Sequence, residues 1–338
     1  TSSAHCSCPG GDAMKAVVCT EHGPPEALRL LDLPVPEPGP GEVRIAMQAA
    51  GVNFPDSLII QNRYQIQPPL PFSPGSEVAG LIDAVGPGVT RFRAGDRVAA
   101  ITFQGGFAEQ VVVREDRVLA IPDAMPFDIA AGFTMVYGTA YHGLKQRAAL
   151  KPGETVLVLG AAGGVGLCAV ELAALMGAHV IAAASTAEKL DLARSLGAGQ
   201  GVNYASQDLK QAVKALTGEK GVDVVFDPVG DRLAGAAFRT LGWNGRHLIV
   251  GFAGGHIPSL PLNLPLVKGS AAIGVFWGAF TKHEPAAHLE NMGQLFDWYV
   301  QGRLRPHVSR HFTLAQTPDA IRWVMDRKAV GKVVVTAG

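Results

Sequence analysis

Val156–Gly177 reads VLVLGAAGGVGLCAVELAALMG. A run of valine and leucine short enough for one buried strand gives way to four glycines within seven residues, Gly160, Gly163, Gly164 and Gly166. An apolar stretch of helical length, Val165–Met176, follows directly. Only this order, strand then glycine turn then helix, gives a glycine pattern chemical meaning. Ala161, Gly163 and Gly166 occupy the three fingerprint places, with alanine where the first glycine usually falls. Gly163 lets the backbone approach a pyrophosphate, and Gly166 lets the helix lie against its strand. Together with Gly164 and Val165 they open a helix whose unpaired N–H groups face an anion.

The same apolar run is long enough to be mistaken for a membrane span, but the glycines interrupt it, and Glu171 and His179 would be costly at bilayer depth. Outward from it, strands alternate with helical segments, the pattern of parallel βαβ units. The strands are ETVLVLG, HVIAAAS, GVNY, VDVVFDP, RHLIVGF and AAIGVF; the helices are Val165–Met176, Ala187–Leu196, Ser206–Thr217 and Arg232–Leu241. Upstream, Met14 to about Ile121 is a series of short Val/Ile/Ala strands cut by Pro and Gly, which predicts an all-β, barrel-like domain. After Phe276 the pattern predicts one long helix, His283–Gln301, two short ones and a closing strand, KVVVTAG. The expected division is residues 14–136, a nucleotide domain at 137–275, and a return segment at 276–338 that completes the first domain.

Composition fits two cores: 338 residues with 48% hydrophobic content. Lys+Arg and Asp+Glu balance at 29 each, which excludes nucleic acid and anionic membranes as main partners. Four cysteines, Cys6, Cys8, Cys19 and Cys168, do not make a disulfide framework, so a reducing, cytoplasmic setting is expected. Thr1–Ala13 has no apolar core for secretion and reads as a flexible leader or tag remnant, His5, Cys6 and Cys8 included.

The strand after the glycine turn predicts which dinucleotide binds. NAD enzymes end it in an acidic residue for the ribose 2′-hydroxyl, whereas AAASTAEK offers Ser185, Thr186 and Lys189, which suit a 2′-phosphate. NADPH is therefore expected. In the N-terminal half, the loop PGSEVAG, Pro74–Gly80, sets Glu77 among glycines with Ser76 beside it.

With these residues in place the chain resembles the medium-chain dehydrogenase/reductase superfamily, and within it the zinc-free, zeta-crystallin-like quinone oxidoreductases. The resemblance runs from Met14 to Gly338. Its carriers are AAGVNFPDSLIIQNRY, PFSPGSEVAGLIDAVGPGVTRFRAGDRV, GAAGGVGLCAVELA, VDVVFDPVG, GRHLIVGFAGG and GKVVVT. It implies an α/β chain with a GroES-like β-barrel catalytic domain and a Rossmann doubly wound parallel-sheet domain. Zinc-dependent relatives take a cysteine from the loop matching GVNFPD and a histidine from that matching GSEVAG; here Asn53 and Ser76 stand there, and Gly95–Glu115 lacks the cysteines of a structural zinc lobe. No zinc is expected. His307 and His311 lack the Glu of a metalloprotease helix and are expected at the surface.

By the same resemblance, Asn53 and Tyr64 line the pocket over the nicotinamide and Leu58 replaces a polar position there; Asp56 reads as a turn residue with an orienting role. Thr139 and Phe276 flank the nicotinamide, Tyr204 lies near the adenosine phosphate, and Gly251, Phe252 and Ala253 follow a strand end where open parallel sheets present ligands. Lys332 either reaches the cofactor phosphates or is a surface lysine. The resemblance also implies a homodimer paired through AAIGVF.

Hydride addition to a simple ketone leaves an alkoxide, which zinc enzymes stabilise with the metal. With water's pKa of ~15.7 standing in for an alcohol and tyrosine's ~10 for a hydroquinone, a conjugated product anion is easier by roughly 8 kcal/mol. Quinones and α,β-unsaturated carbonyls are the expected acceptors, with Asn53 and Tyr64 as hydrogen-bond donors and Tyr64 or water as the proton source. The alternatives are 2-enoyl thioester reduction and a zeta-crystallin-like binding or structural role.

Overall fold

A computed structural model describes residues 12–337 of the chain. The expected leader therefore lies outside the described residues up to residue 11, and Ala13 already opens the first strand. The chain forms two compact units: the described residues of Thr1–Gly132, Arg310–Lys328 and Val333–Gly338, and Phe133–Ser309 with Ala329–Lys332. The expected return segment is thus divided, because 276–309 groups with the second unit.

In the first unit β1 (Ala13–Val18) pairs antiparallel with β2 (Arg29–Pro34). Then come β3 (Glu42–Val52), α1 (Phe54–Ile59), β4 (Glu77–Val85), β5 (Arg97–Ile101), β6 (Gln110–Arg114), β7 (Val118–Ala120) and α2 (Phe127–Ala131). β3 shows why this half is sheet: Val43, Ile45 and Met47 are buried in alternation with less buried neighbours, the period of a strand with one face on a core. Bulges at Arg44/Ile45 and Met47/Ala49 then re-aim its end. Antiparallel pairing sets Gly51 opposite Glu77, so Asn53, just past β3, and Ser76, just before β4, arrive at the same sheet end.

The second unit opens with α3 (Thr134–His142), followed by β8 (Thr155–Leu159), α4 (Gly164–Leu175), β9 (His179–Ala184), α5 (Ala187–Ser195), β10 (Gln200–Asn203), α6 (Leu209–Thr217), β11 (Val222–Asp227), α7 (Asp231–Thr240), β12 (Leu241–Ile249), α8 (Asn263–Lys268) and β13 (Ala271–Gly274). The strands form one parallel sheet in the order β10-β9-β8-β11-β12-β13. The order reverses between β8 and β11, and the carboxyl ends at that reversal are where such sheets take ligands. Leu157, Leu159, Ile181, Val225 and Phe238 are buried in a core on one face.

The long helix expected at His283–Gln301 is found as α10 (Pro285–Val300), and a shorter helix that was not expected, α9 (Trp277–His283), precedes it. Pro285 separates the two and sets the start of α10. It lacks an N–H and drives Glu284 out of the helical region, to φ −131° and ψ 58°. β14 (Val308–Thr313), α11 (Thr317–Met325) and β15 (Lys332–Thr336) close the chain, and the first unit's main sheet runs β14-β15-β3-β4-β5-β7 with β6 also on β3. No helix among the described residues is long and apolar enough to cross a membrane.

Candidate functional site

In the first unit, four polar side chains that sequence places in two loops are buried together. Asn53 caps α1, and its backbone N–H donates to Asp56 Oδ2 at 2.8 Å. Ser76 Oγ donates to Asp56 Oδ1 at 2.6 Å, and Asn53 Nδ2 donates to Glu77 Oε1 at 2.9 Å and to the Gly51 carbonyl at 3.3 Å. Asp56 is 0% exposed, which makes these partners obligatory. Gly51 has no side chain because a Cβ there would collide with the Ala131 carbonyl and the Glu77 carboxylate.

This arrangement changes the part expected of Asn53. Both Nδ2 hydrogens have protein acceptors, so Asn53 holds Glu77 and shapes the loop rather than donating to a substrate oxygen. Ser76 likewise does more than fill space, since it secures the orienting carboxylate of Asp56. Tyr64 is partly buried in the loop after α1. Burial, and secondarily the charge of Asp56, push its hydroxyl above the ordinary 10.0, so it remains protonated at neutral pH. Leu58 is half-buried on α1.

In the second unit the glycine turn has the shape a dinucleotide requires. Gly160 takes φ +56°, so the left-handed turn residue is Gly160 and Ala161, fully buried, needs no special backbone. A Cβ on Gly166 would lie on the Gly160 carbonyl oxygen, which explains the close helix–strand approach. Gly163 caps α4, and Gly163, Gly164 and Val165 stay partly exposed at its N-terminus, where the first N–H groups lack helical partners.

Lys332 is not a surface lysine: it is 5% exposed, and its Cδ lies 3.3 Å from where a Gly164 Cβ would stand. A cation held against a helix N-terminus and a glycine turn suits a bound phosphate. Thr186 caps α5 by accepting from the Lys189 N–H at 3.3 Å, which keeps Ser185 and Lys189 just beyond the end of β9. The Tyr204 N–H donates to the Ala184 carbonyl at 3.1 Å, bringing Tyr204 to the same strand end. Thr139 is half-buried on α3, Gly251–Ala253 follow β12, and Phe276 is exposed just after β13. These residues fit a phosphorylated dinucleotide.

Sequence reasoning missed a second buried cluster. Tyr137 donates to Glu171 Oε2 at 2.6 Å, and the Arg305 N–H donates to Oε1 at 2.7 Å, tying α3 and the chain after α10 to the dinucleotide helix. Burial raises the pKa of both groups, that of Tyr137 well above 10.0. A Glu inside an apolar helix was the available signal. Cys19 and Cys168 are buried and form no disulfide, His307 and His311 are exposed, and no group of three or more His, Cys, Asp or Glu arranged for a metal occurs among the described residues.

Residues 39–123 match the family model described as alcohol dehydrogenase GroES-like domain, and 164–293 match that described as zinc-binding dehydrogenase. Quinone oxidoreductase-like protein 2 of Rattus norvegicus is 40% identical over 324 residues, 95% of this chain and 92% of that one. Human quinone oxidoreductase is 33% identical over 332 residues, 96% of this chain and 98% of the relative. Among solved structures, Escherichia coli quinone oxidoreductase complexed with NADPH superposes with a TM-score of 0.90 at 28% identity, covering 95% of this chain and 99% of that one. The Asn53/Ser76 loops and the Gly160–Gly166 turn therefore sit in a chain that belongs to the zeta-crystallin-like quinone oxidoreductase branch of the medium-chain dehydrogenase/reductase superfamily, as an oxidoreductase of that superfamily.

Proposed function

We propose that the protein is an NADPH-dependent, metal-free reductase of quinones or α,β-unsaturated carbonyl compounds. The observation that carries this is the closed polar cluster. Where zinc-dependent relatives place a cysteine and a histidine, Asn53 and Ser76 spend their hydrogens on Glu77 and Asp56, leaving hydrogen bonding as the means of polarising an acceptor. The NADPH complex of the Escherichia coli relative supports the choice of cofactor, as do Ser185 and Lys189 beyond β9 and the buried Lys332.

Bound NADPH would supply two electrons as hydride. The Gly163–Gly166 turn and Lys332 hold the phosphates, and Ser185 and Lys189 take the 2′-phosphate. Tyr64 gives a proton to the acceptor's oxygen as the product anion forms and recovers it from solvent. The conjugated product spreads the negative charge that no metal stabilises.

The test is cofactor oxidation scanned over quinones, enones, crotonyl-CoA and secondary alcohols, with NADPH and NADH and with a chelator present. Turnover of quinones or enones, favouring NADPH and indifferent to the chelator, is expected; preference for secondary alcohols, or activity lost to the chelator, would refute the reading. Tyr64→Phe should lower kcat about 10-fold, water partly replacing the hydroxyl. An unchanged kcat would assign the proton to water.

A cytoplasmic homodimer completes the reading, supported by the absence of a disulfide among the described residues and by an open sheet edge at β13, whose Ala271 and Ala272 are exposed, with Leu266 of α8 79% exposed and Leu262 just before it 82% exposed. Light scattering should give twice the 35.3 kDa chain mass. A monomer at micromolar concentration would refute the dimer.

A further inference from the structure

Beyond β11 and β12 the chain makes two turns that interlock, and one carboxylate organises both. Asp227, the last residue of β11, accepts the Val229 N–H at 2.9 Å and the Gly230 N–H at 2.7 Å on Oδ1. Its main-chain carbonyl accepts from Val250 at 2.9 Å and Gly251 at 3.3 Å. The turn it caps carries two consecutive left-handed residues, Gly230 at φ 64° and Asp231 at φ 49°, the second an uncommon conformation for a residue with a side chain.

The loop after β12 folds onto this turn. Ala253 N–H donates to Pro228 O at 3.1 Å, Gly254 N–H to Val229 O at 2.7 Å, and Asp231 N–H to His256 O at 3.1 Å. The Phe252 ring lies 2.7 Å from where a Gly230 Cβ would stand, so the loop and the turn share one surface.

The other oxygen of Asp227 is set from β12. His247 Nε2 lies 3.0 Å from Oδ2, and because an ionised carboxylate only accepts, the proton is on Nε2. His247 Nδ1 is buried with no partner among the described residues, in a ring 4% exposed and stacked on Phe238. An orphaned buried polar atom is costly, and an apolar side chain would fill the site without that cost. The imidazole is explained by what it does to Asp227: by fixing Oδ2 it aims Oδ1 at the strained turn.

We propose that Asp227 and His247 are positioning residues that clamp Gly251–Ala253 in the shape that receives the cofactor. The proposal rests on the NADPH reading above. His247→Leu removes the donor to Oδ2. His247→Gln restores one. Asp227→Asn keeps an oxygen for the turn but exchanges the carboxylate's charge-assisted bond with the imidazole for a weaker neutral one.

The experiment is NADPH binding by calorimetry, with quinone turnover at saturating NADPH and thermal unfolding measured in parallel. His247→Leu and Asp227→Asn should each raise the NADPH Kd about 10-fold, a binding difference of about 1.4 kcal/mol, with saturated kcat within about two-fold of wild type. His247→Gln should recover most of the affinity, and the double variant should bind no worse than either single one. Variants that unfold at lower temperature but bind NADPH as wild type does would overturn the proposal and leave a structural pair. Failure of the wild-type protein to bind NADPH would refute the cofactor reading itself, and the clamp with it. Should His247→Leu fail to fold, Asp227→Asn, which retains the turn cap, gives the same discrimination.

Discussion

Gly166→Ala is expected to weaken NADPH binding by about 100-fold. The added Cβ would lie on the carbonyl oxygen of Gly160, and backbone cannot swing aside as a side chain can. Gly160 itself cannot retreat, because its φ of +56° is the left-handed turn that ends β8, and a Cβ at its own position would meet Val229 at 2.9 Å. α4 must then lift from the sheet, costing about 3 kcal/mol, the range of overpacked cores, and taking the N–H groups of Gly164 and Val165 out of reach of a pyrophosphate. An affinity loss of ~100-fold follows from that energy alone. Ala161→Gly, at the formally missing fingerprint glycine, should change affinity less than about three-fold, since the turn does not use that position. Calorimetric titration of both variants decides it; a Gly166→Ala protein binding within about three-fold of wild type would show that the turn does not hold the cofactor.

The second large effect is a loss of stability in mild acid, centred on α10. His288 is 7% exposed, meets Trp277 edge-on at 5.5 Å and Phe280 at 6.4 Å, and has no partner for Nδ1 among the described residues. Burial lowers its pKa from 6.5 to about 4. Below pH ~6.5 the unfolded chain takes up a proton that the native state refuses, so stability falls as pH drops from 6.5 toward 4 and this contribution levels off below 4. The span corresponds to about 3 kcal/mol. His142, stacked on Phe280 at 3.9 Å and also lowered by burial, acts in the same direction. Denaturant unfolding at pH 7 and pH 4 should therefore show a smaller acid loss in His288→Leu than in wild type, by about that amount. Equal losses in the two proteins would show that His288 is not the group responsible.

Much of the architecture was legible because it is written locally. Alternation of strand and helix, and the strand–glycine–helix order at 156–177, need only neighbouring residues to be read, and they led to the parallel sheet that is found. α3 was not legible. FTMVYGTAYHG mixes glycine, β-branched and aromatic residues and is buried on nearly all sides, so it has no amphipathic stripe, and its Gly138 is required by packing against Trp277 rather than by helix propensity. The long helix expected near the end is found as Pro285–Val300, its periodicity legible and its start set by Pro285. Division of the last 63 residues between units was hidden, since Phe133 stacks on Phe296 across a long stretch of chain.

The sequence alone determined the fold class, the dinucleotide turn, the family and the absence of Cys and His from the two loops that bear zinc in relatives, because each is a matter of which residues are neighbours along the chain. Only the tertiary structure decided what those residues touch. Asp56 meets Ser76 across 20 residues, Asn53 meets Glu77 across 24, His247 meets Asp227 across 20, and Glu171 meets Arg305 across 134. Whether Asn53 donates to a ligand or to Glu77, and whether Lys332 is solvated or buried against the glycine turn, depends on partners that folding brings near, since a buried polar atom is bound to whatever donor or acceptor shares its cavity.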